Sequence, residues 1–136
     1  MCVLHVTCGK TLIKPFLDAT EMPIYQFHER GDTIKIGLNK NELYEDSGFS
    51  CEISDRNWND FEGQIDDLKQ FLHNYHSDLV LLKTHYEIKT WIVDLPYFLR
   101  LNGEFFSQSD YLDPEIMKLL SALDIGLELS LYPPEN

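Results

Sequence analysis

The chain has 136 residues and a mass of 15.9 kDa, which fits one domain over 1–136 and leaves no room for a conventional two-domain enzyme. With 43% hydrophobic and 25% charged residues it holds enough apolar surface to offset the entropy of folding, so wholesale disorder is excluded. Eleven Lys and Arg against 23 Asp and Glu leave a formal charge of −12, which opposes binding to nucleic acid phosphates and anionic lipid surfaces.

Met1 to Cys8 alternates, with Cys2, Leu4, Val6 and Cys8 on one face, and reads as a strand that Gly9 ends. Leu12, Ile13, Phe16 and Leu17 then cluster at helical spacing around Pro15, predicting a short helix. Pro23 to Glu29 and Thr33 to Leu38 read as a hairpin through Arg30-Gly31-Asp32, where Gly31 supplies a positive φ at low cost. Phe49, Cys51 and Ile53 alternate in a further strand that ends near Ser54-Asp55.

Asp60 is a helix N-cap ahead of a stripe of Phe61, Ile65, Leu68, Phe71, Leu72 and Tyr75. The region 60–85 is one bent helix or two short ones, since Ser77-Asp78 can restart a turn. Ile88 to Asp94 reads as a strand broken by Pro96, and Phe98 to Leu101 pairs with Glu104 to Gln108 across Asn102-Gly103. Leu112-Asp113-Pro114-Glu115 starts a last helix, with Asp113 as N-cap and Pro114 in its first turn. Gly126 stops it, and Leu127, Leu129 and Leu131 alternate in a final strand before Pro133-Pro134. The order β-α-β-β-β-α-β-β-α-β predicts an α+β fold, a mostly antiparallel sheet with helices packed on one face.

Phe49-Ser50-Cys51, Phe61-Glu62-Gly63-Gln64-Ile65, the Asp113-Pro114-Glu115 helix start and Gly126-Leu127-Glu128-Leu129-Ser130-Leu131-Tyr132-Pro133 together resemble a bacterial family. It is classed only as a domain of unknown function, numbered four-two-seven-nine, and the likeness covers residues 45–133. The family has no defining catalytic constellation, so the resemblance implies no active-site residue. Its small acidic members occur in settings that imply partner binding, including inhibition of bacterial toxins.

Three cysteines at irregular spacing, Cys2, Cys8 and Cys51, read as buried structural thiols of a reducing compartment. A start without a basic n-region, and the lack of an apolar run near the roughly 18 to 20 residues of a membrane helix, lead to an expectation of a cytoplasmic protein without a membrane partner. His73 and His76, with Asp66 or His85, could face one metal, but no HExxH or CxxC accompanies them and a solvated helix face explains the spacing equally; neither metal nor cofactor is expected. A pairing of His5 with Cys2 or Cys51 as nucleophile lacks the positive field that a thiolate requires. Gly9-Lys10-Thr11 lacks the upstream glycine of a phosphate loop.

Carboxylates are the informative feature. Between Glu42 and Asp67 nine acids face a single base, Arg56. The bland account is a solvated surface; the sharper one is a docking surface for a basic protein, using Glu45, Asp46, Asp55, Asp60, Glu62 and Asp66 around Trp58. Trp58 is either an interface anchor or a cap on the sheet core. Trp91, Tyr97, Phe98, Phe105 and Phe106 read as packing residues, although the adjacent Phe105 and Phe106 must face opposite ways on a strand. The expected function is a non-catalytic immunity protein that covers the active site of a basic toxin domain. Two alternatives stay open: a small enzyme or ligand-binding domain with a pocket between sheet and helices, using His5, His28 and Glu29 as acid–base groups, and a regulatory module whose partner is not basic.

Overall fold

The computed structural model describes residues 1–101, 103, 104 and 106–134. Along the chain run β1 (Cys2–Cys8), α1 (Lys14–Ala19), β2 (Ile24–His28), β3 (Ser47–Ser54), α2 (Phe61–Asn74), α3 (His76–His85), β4 (Ile88–Phe98), α4 (Pro114–Ala122) and β5 (Gly126–Tyr132). The strands form one sheet in the order β2-β3-β1-β4-β5, and the fold is α+β. β1, the most apolar segment of the first half, lies at the centre, antiparallel to both β3 and β4.

Period-two alternation separates the two sheet faces. Leu4, Val6 and Cys8 of β1, Phe49 and Cys51 of β3, and Trp91, Val93 and Leu95 of β4 point into one core with Phe16, Leu68, Leu72, Leu79, Leu82, Ile116 and Leu120 of the four helices. The opposite face carries no helix stripe and is tied by polar cross-strand pairs: His5 with Ser50, Thr7 with Thr90, and Ser130 with Asp94.

Capping fixes the helices. Asp60 accepts from the Gly63 N–H at 3.0 Å and Asp113 from the Ile116 N–H at 3.0 Å, as the sequence predicts. α1 has no side-chain cap of its own. Its orphan donors are met from a distance by Glu29, whose carboxylate accepts from the Ile13 and Lys14 N–H groups and from the Ser47 hydroxyl at 2.7 Å. The 60–85 region is two helices, parted at the non-helical Tyr75.

Four expectations are corrected. First, Thr33–Leu38 is not a strand: β2 pairs instead with β3, and residues 29–46 between them fold back on themselves as an arm. Gly31 donates to Tyr44 and Ile34 to Glu42, Gly31 does take φ +90, and the tip turns with Gly37 and Asn41 at positive φ, leaving Ile36 and Leu38 in solvent. Local alternation suggested a strand there, but a strand needs a partner in register, and β3 had already supplied one to β2.

Second, β4 runs through Pro96 to Phe98. The β1 ladder ends at Asp94, so the missing N–H of Pro96 falls where no strand requires it, and its carbonyl accepts from the buried Gln64 Nε2 at 2.8 Å. Third, no described residue of 99–113 is in a strand; Asn102 and Phe105 lie outside the described residues, and Phe106 is fully exposed, one of the outcomes that the sequence left open for this pair. Fourth, the sheet is mixed rather than mostly antiparallel: α4 carries the chain back across the sheet, so β5 joins β4 in parallel. Among the described residues, the seven strands and three helices of the expected order become five and four.

Candidate partner-binding surface

Strand β3 divides the acidic stretch. Glu45 and Asp46 precede it at the end of the sheet that carries the arm, whereas Asp55, Trp58, Asp60, Glu62 and Asp66 follow it at the opposite end. The first pair sits among bases: Lys89 Nζ holds both Asp46 oxygens at 3.1 Å, and Lys10, Arg30 and Lys89 line the same hollow as Glu45. That end of the molecule is electrostatically mixed.

The second group is organised by Arg56. Its Nε lies 2.9 Å from Asp67 and its Nη1 3.3 Å from Asp60, so one base answers two carboxylates while Asp60 also caps α2. Burial pushes the Asp67 carboxyl up, but hydrogen bonds from Arg56 and from the Ser54 hydroxyl at 2.6 Å overcome it and hold the group below its ordinary value. Asp55, Glu62 and Asp66 have no ion-pair partner among the described residues and are exposed. Glu62 and Asp66, four apart, share one face of α2.

Trp58 is half-buried, neither a free anchor nor a core residue. Its ring packs 5.3 Å from Phe98 of β4 and 4.7 Å from Tyr132 of β5, and its carbonyl accepts from the Phe98 N–H at 3.3 Å. An aromatic cap thus closes the end of the sheet, with Tyr132 still 40% exposed. Tyr132 had no signal in the sequence as a partner of Trp58, because only the parallel pairing of β5 brings it there.

Phe61, between Asp60 and Glu62, lines an apolar cleft of about 310 Å³. Tyr97 of β4, Leu99 just beyond it, Leu129 and Leu131 of β5, and Leu101 and Leu112 line it, with Asp110, held by Arg100, also in the lining. By alternation the cap, on Phe98 and Tyr132, lies on the open face of the sheet, where Asp55 lines a hollow with Trp58, whereas the cleft, with Tyr97, Leu129 and Leu131, lies on the helix face, where Glu62 follows Phe61 on α2.

The candidate acid–base groups are not assembled. His5 Nδ1 lies 2.8 Å from Ser50 Oγ on the open sheet face. His28 stacks on Tyr44 with ring centroids 3.8 Å apart, and burial lowers its pKa, against the pull of Asp32, Asp46 and Glu29. Both Glu29 oxygens serve α1 and Ser47. No hydrogen bond links any two of the three. All three cysteines are free and buried, and burial pushes the thiols up to about 12 for Cys2 and Cys51 and about 11 for Cys8, so at neutral pH none is a thiolate.

His73 Nε2 lies 3.3 Å from Glu115 of α4, and His76 belongs to the next helix; no group of three or more potential ligands comes together among the described residues. No described helix is long and apolar enough to cross a membrane. Comparison with known proteins adds no relative: no family model matches the chain, and no curated protein and no solved structure matches it.

Proposed function

We propose that this chain is a non-catalytic acidic protein-binding domain, and that it acts as an immunity protein which inhibits a basic bacterial toxin domain by direct binding. The observation that carries the reading is a set of three exposed carboxylates without an ion partner among the described residues: Asp55 beside Trp58 and Phe98 of the aromatic cap, and Glu62 and Asp66 on α2, whose Phe61 lines the apolar cleft. Charge of this kind accelerates encounter with a cationic surface, and an aromatic centre lengthens the life of the complex once formed. The resemblance of residues 45–133 to a family of unknown function, whose small acidic members occur in settings that imply partner binding, supports the same reading, as does the separation of His5, His28 and Glu29, no two of which are hydrogen-bonded. Glu45 and Asp46, at the far end of β3, lie outside this contact surface, and Asp46 is already paired with Lys89.

The test is capture of the cognate protein from the native source followed by titration of its activity. A basic protein whose activity falls to zero at one equivalent of this chain supports the proposal. A captured protein that is acidic, or one whose activity is unchanged at saturation, removes the toxin-inhibitor reading.

A further inference from the structure

We propose that β5 is the docking strand: it takes an extended segment of the basic partner as a sixth strand, one whose residues alternate between apolar and Lys or Arg. This rests on the reading above that the partner is basic.

The sheet has two edges, and they differ. β2 is five residues long, carries a register shift between Ile24 and Gln26, and leads directly into the arm. Such bulges and irregularities blunt an edge against pairing. β5 pairs with β4 in unbroken register over seven residues and carries no proline, lysine or bulge. Among the described residues no backbone hydrogen bond reaches it from the side away from β4.

Its free groups can be assigned. Residues of a parallel strand send N–H and C=O alternately to one side and the other. Tyr132 spends its carbonyl on the Leu99 N–H, towards β4, at 2.9 Å. The main-chain groups of Leu127, Leu129 and Leu131 therefore face outward, three donors and three acceptors in the spacing of a vacant ladder.

Side-chain chemistry selects the occupant. Residues paired opposite Leu129 and Leu131 would drop their side chains over the apolar cleft, beside Leu101 and Phe61. Residues between them would fall on the open sheet face, beside the exposed Glu128 and the Asp94 carboxylate of β4. An alternating apolar and basic strand meets both faces. A second copy of this chain meets them badly, because each copy brings −12 and symmetric pairing would set Glu128 near its own counterpart. The strand also ends at Tyr132, against Trp58, so an added segment ends near the exposed Asp55, which lines a hollow with Trp58.

The experiment uses the full chain and a synthetic peptide of alternating Lys and Val, read by amide hydrogen exchange. Expected is new protection at Leu127, Leu129 and Leu131, and at least about a tenfold loss of affinity when alternate peptide nitrogens are methylated, since methylation removes pairing but keeps charge. Leu129→Pro, which deletes one outward donor at an edge position, should weaken the peptide similarly; the methylated peptide makes the same test on an unaltered protein. Binding without protection of these amides, or unharmed by methylation, overturns strand addition while leaving a basic partner in place. Equal protection by a Glu and Val peptide overturns the choice of a basic occupant, and with it the charge argument for the partner. No protection by either peptide overturns the proposal outright.

Discussion

Replacing Leu68 by Ala tests whether the helix layer is seated as described. Leu68 is fully buried on the core face of α2. Truncation removes three methylene-sized groups at about 0.8 kcal/mol each, and a cavity left among rigid neighbours raises the cost to about 3–4 kcal/mol. For 136 residues the unfolding entropy is about 0.29 kcal/mol/K, so a loss of 3 kcal/mol lowers Tm by about 10 °C. Urea unfolding followed by circular dichroism, with the m-value unchanged, measures it. Asp66→Asn on the exposed face of the same helix serves as control and should stay within about 0.5 kcal/mol. A Leu68→Ala change no larger than that control would mean that α2 presents a different face to the sheet, and the placement of Phe61 and Glu62 would fall with it.

Three further outcomes follow from single contacts. Glu29→Ala removes three charge-assisted or hydroxyl bonds that hold α1 and the start of β3, and should cost about 2–4 kcal/mol in the same urea assay. Burial lowers the His28 pKa below its ordinary 6.5, so as pH falls through that value the unfolded chain takes up a proton that the folded chain refuses. Stability should therefore be full above about pH 6.5 and decline below it, and His28→Phe, which keeps the stack on Tyr44, should flatten that part of the profile. Cys2, Cys8 and Cys51 should be silent to a thiol reagent in the native protein and react together on unfolding; fast native labelling of any one would contradict the burial that raises their pKa values.

What the sequence made legible has a physical pattern. The stripe of Phe61, Ile65, Leu68, Phe71 and Leu72 reads correctly because helical period and burial are set within one element, and the Asp60 and Asp113 caps read correctly because each cap and its donor are three residues apart. Pairing between distant strands leaves no such local trace. The alternation of Ile34, Ile36 and Leu38 resembles a strand, yet β2 finds its partner beyond the arm, and Ile36 and Leu38 end in solvent. Pro96 looks like a strand breaker until the short reach of β1 is known. The parallel pairing of β4 with β5 was available from the single helix between them, a connection long enough for a crossover, but the Asn102-Gly103 turn signal masked it. The candidate surface divides in the same way: the acids and Trp58 stand out by composition, whereas their partition across the two ends of β3, the ion pairs of Asp60 and Asp67 with Arg56, and the packing of Tyr132 on Trp58 depend on tertiary structure.

The partition of the acids also chooses the decisive variant. Asp60 caps a helix and pairs with Arg56, so neutralising it would weaken the fold as well as the field. Asp55, Glu62 and Asp66 can be neutralised with little structural cost. The direct test of an acidic docking surface is the association rate with the cognate partner as a function of salt, for the native chain and for the Asp55→Asn, Glu62→Gln, Asp66→Asn triple variant. The native rate should fall steeply as ionic strength rises, and the variant should associate about tenfold more slowly at low salt with a flatter dependence. Equal rates and equal salt slopes for the two proteins would contradict it.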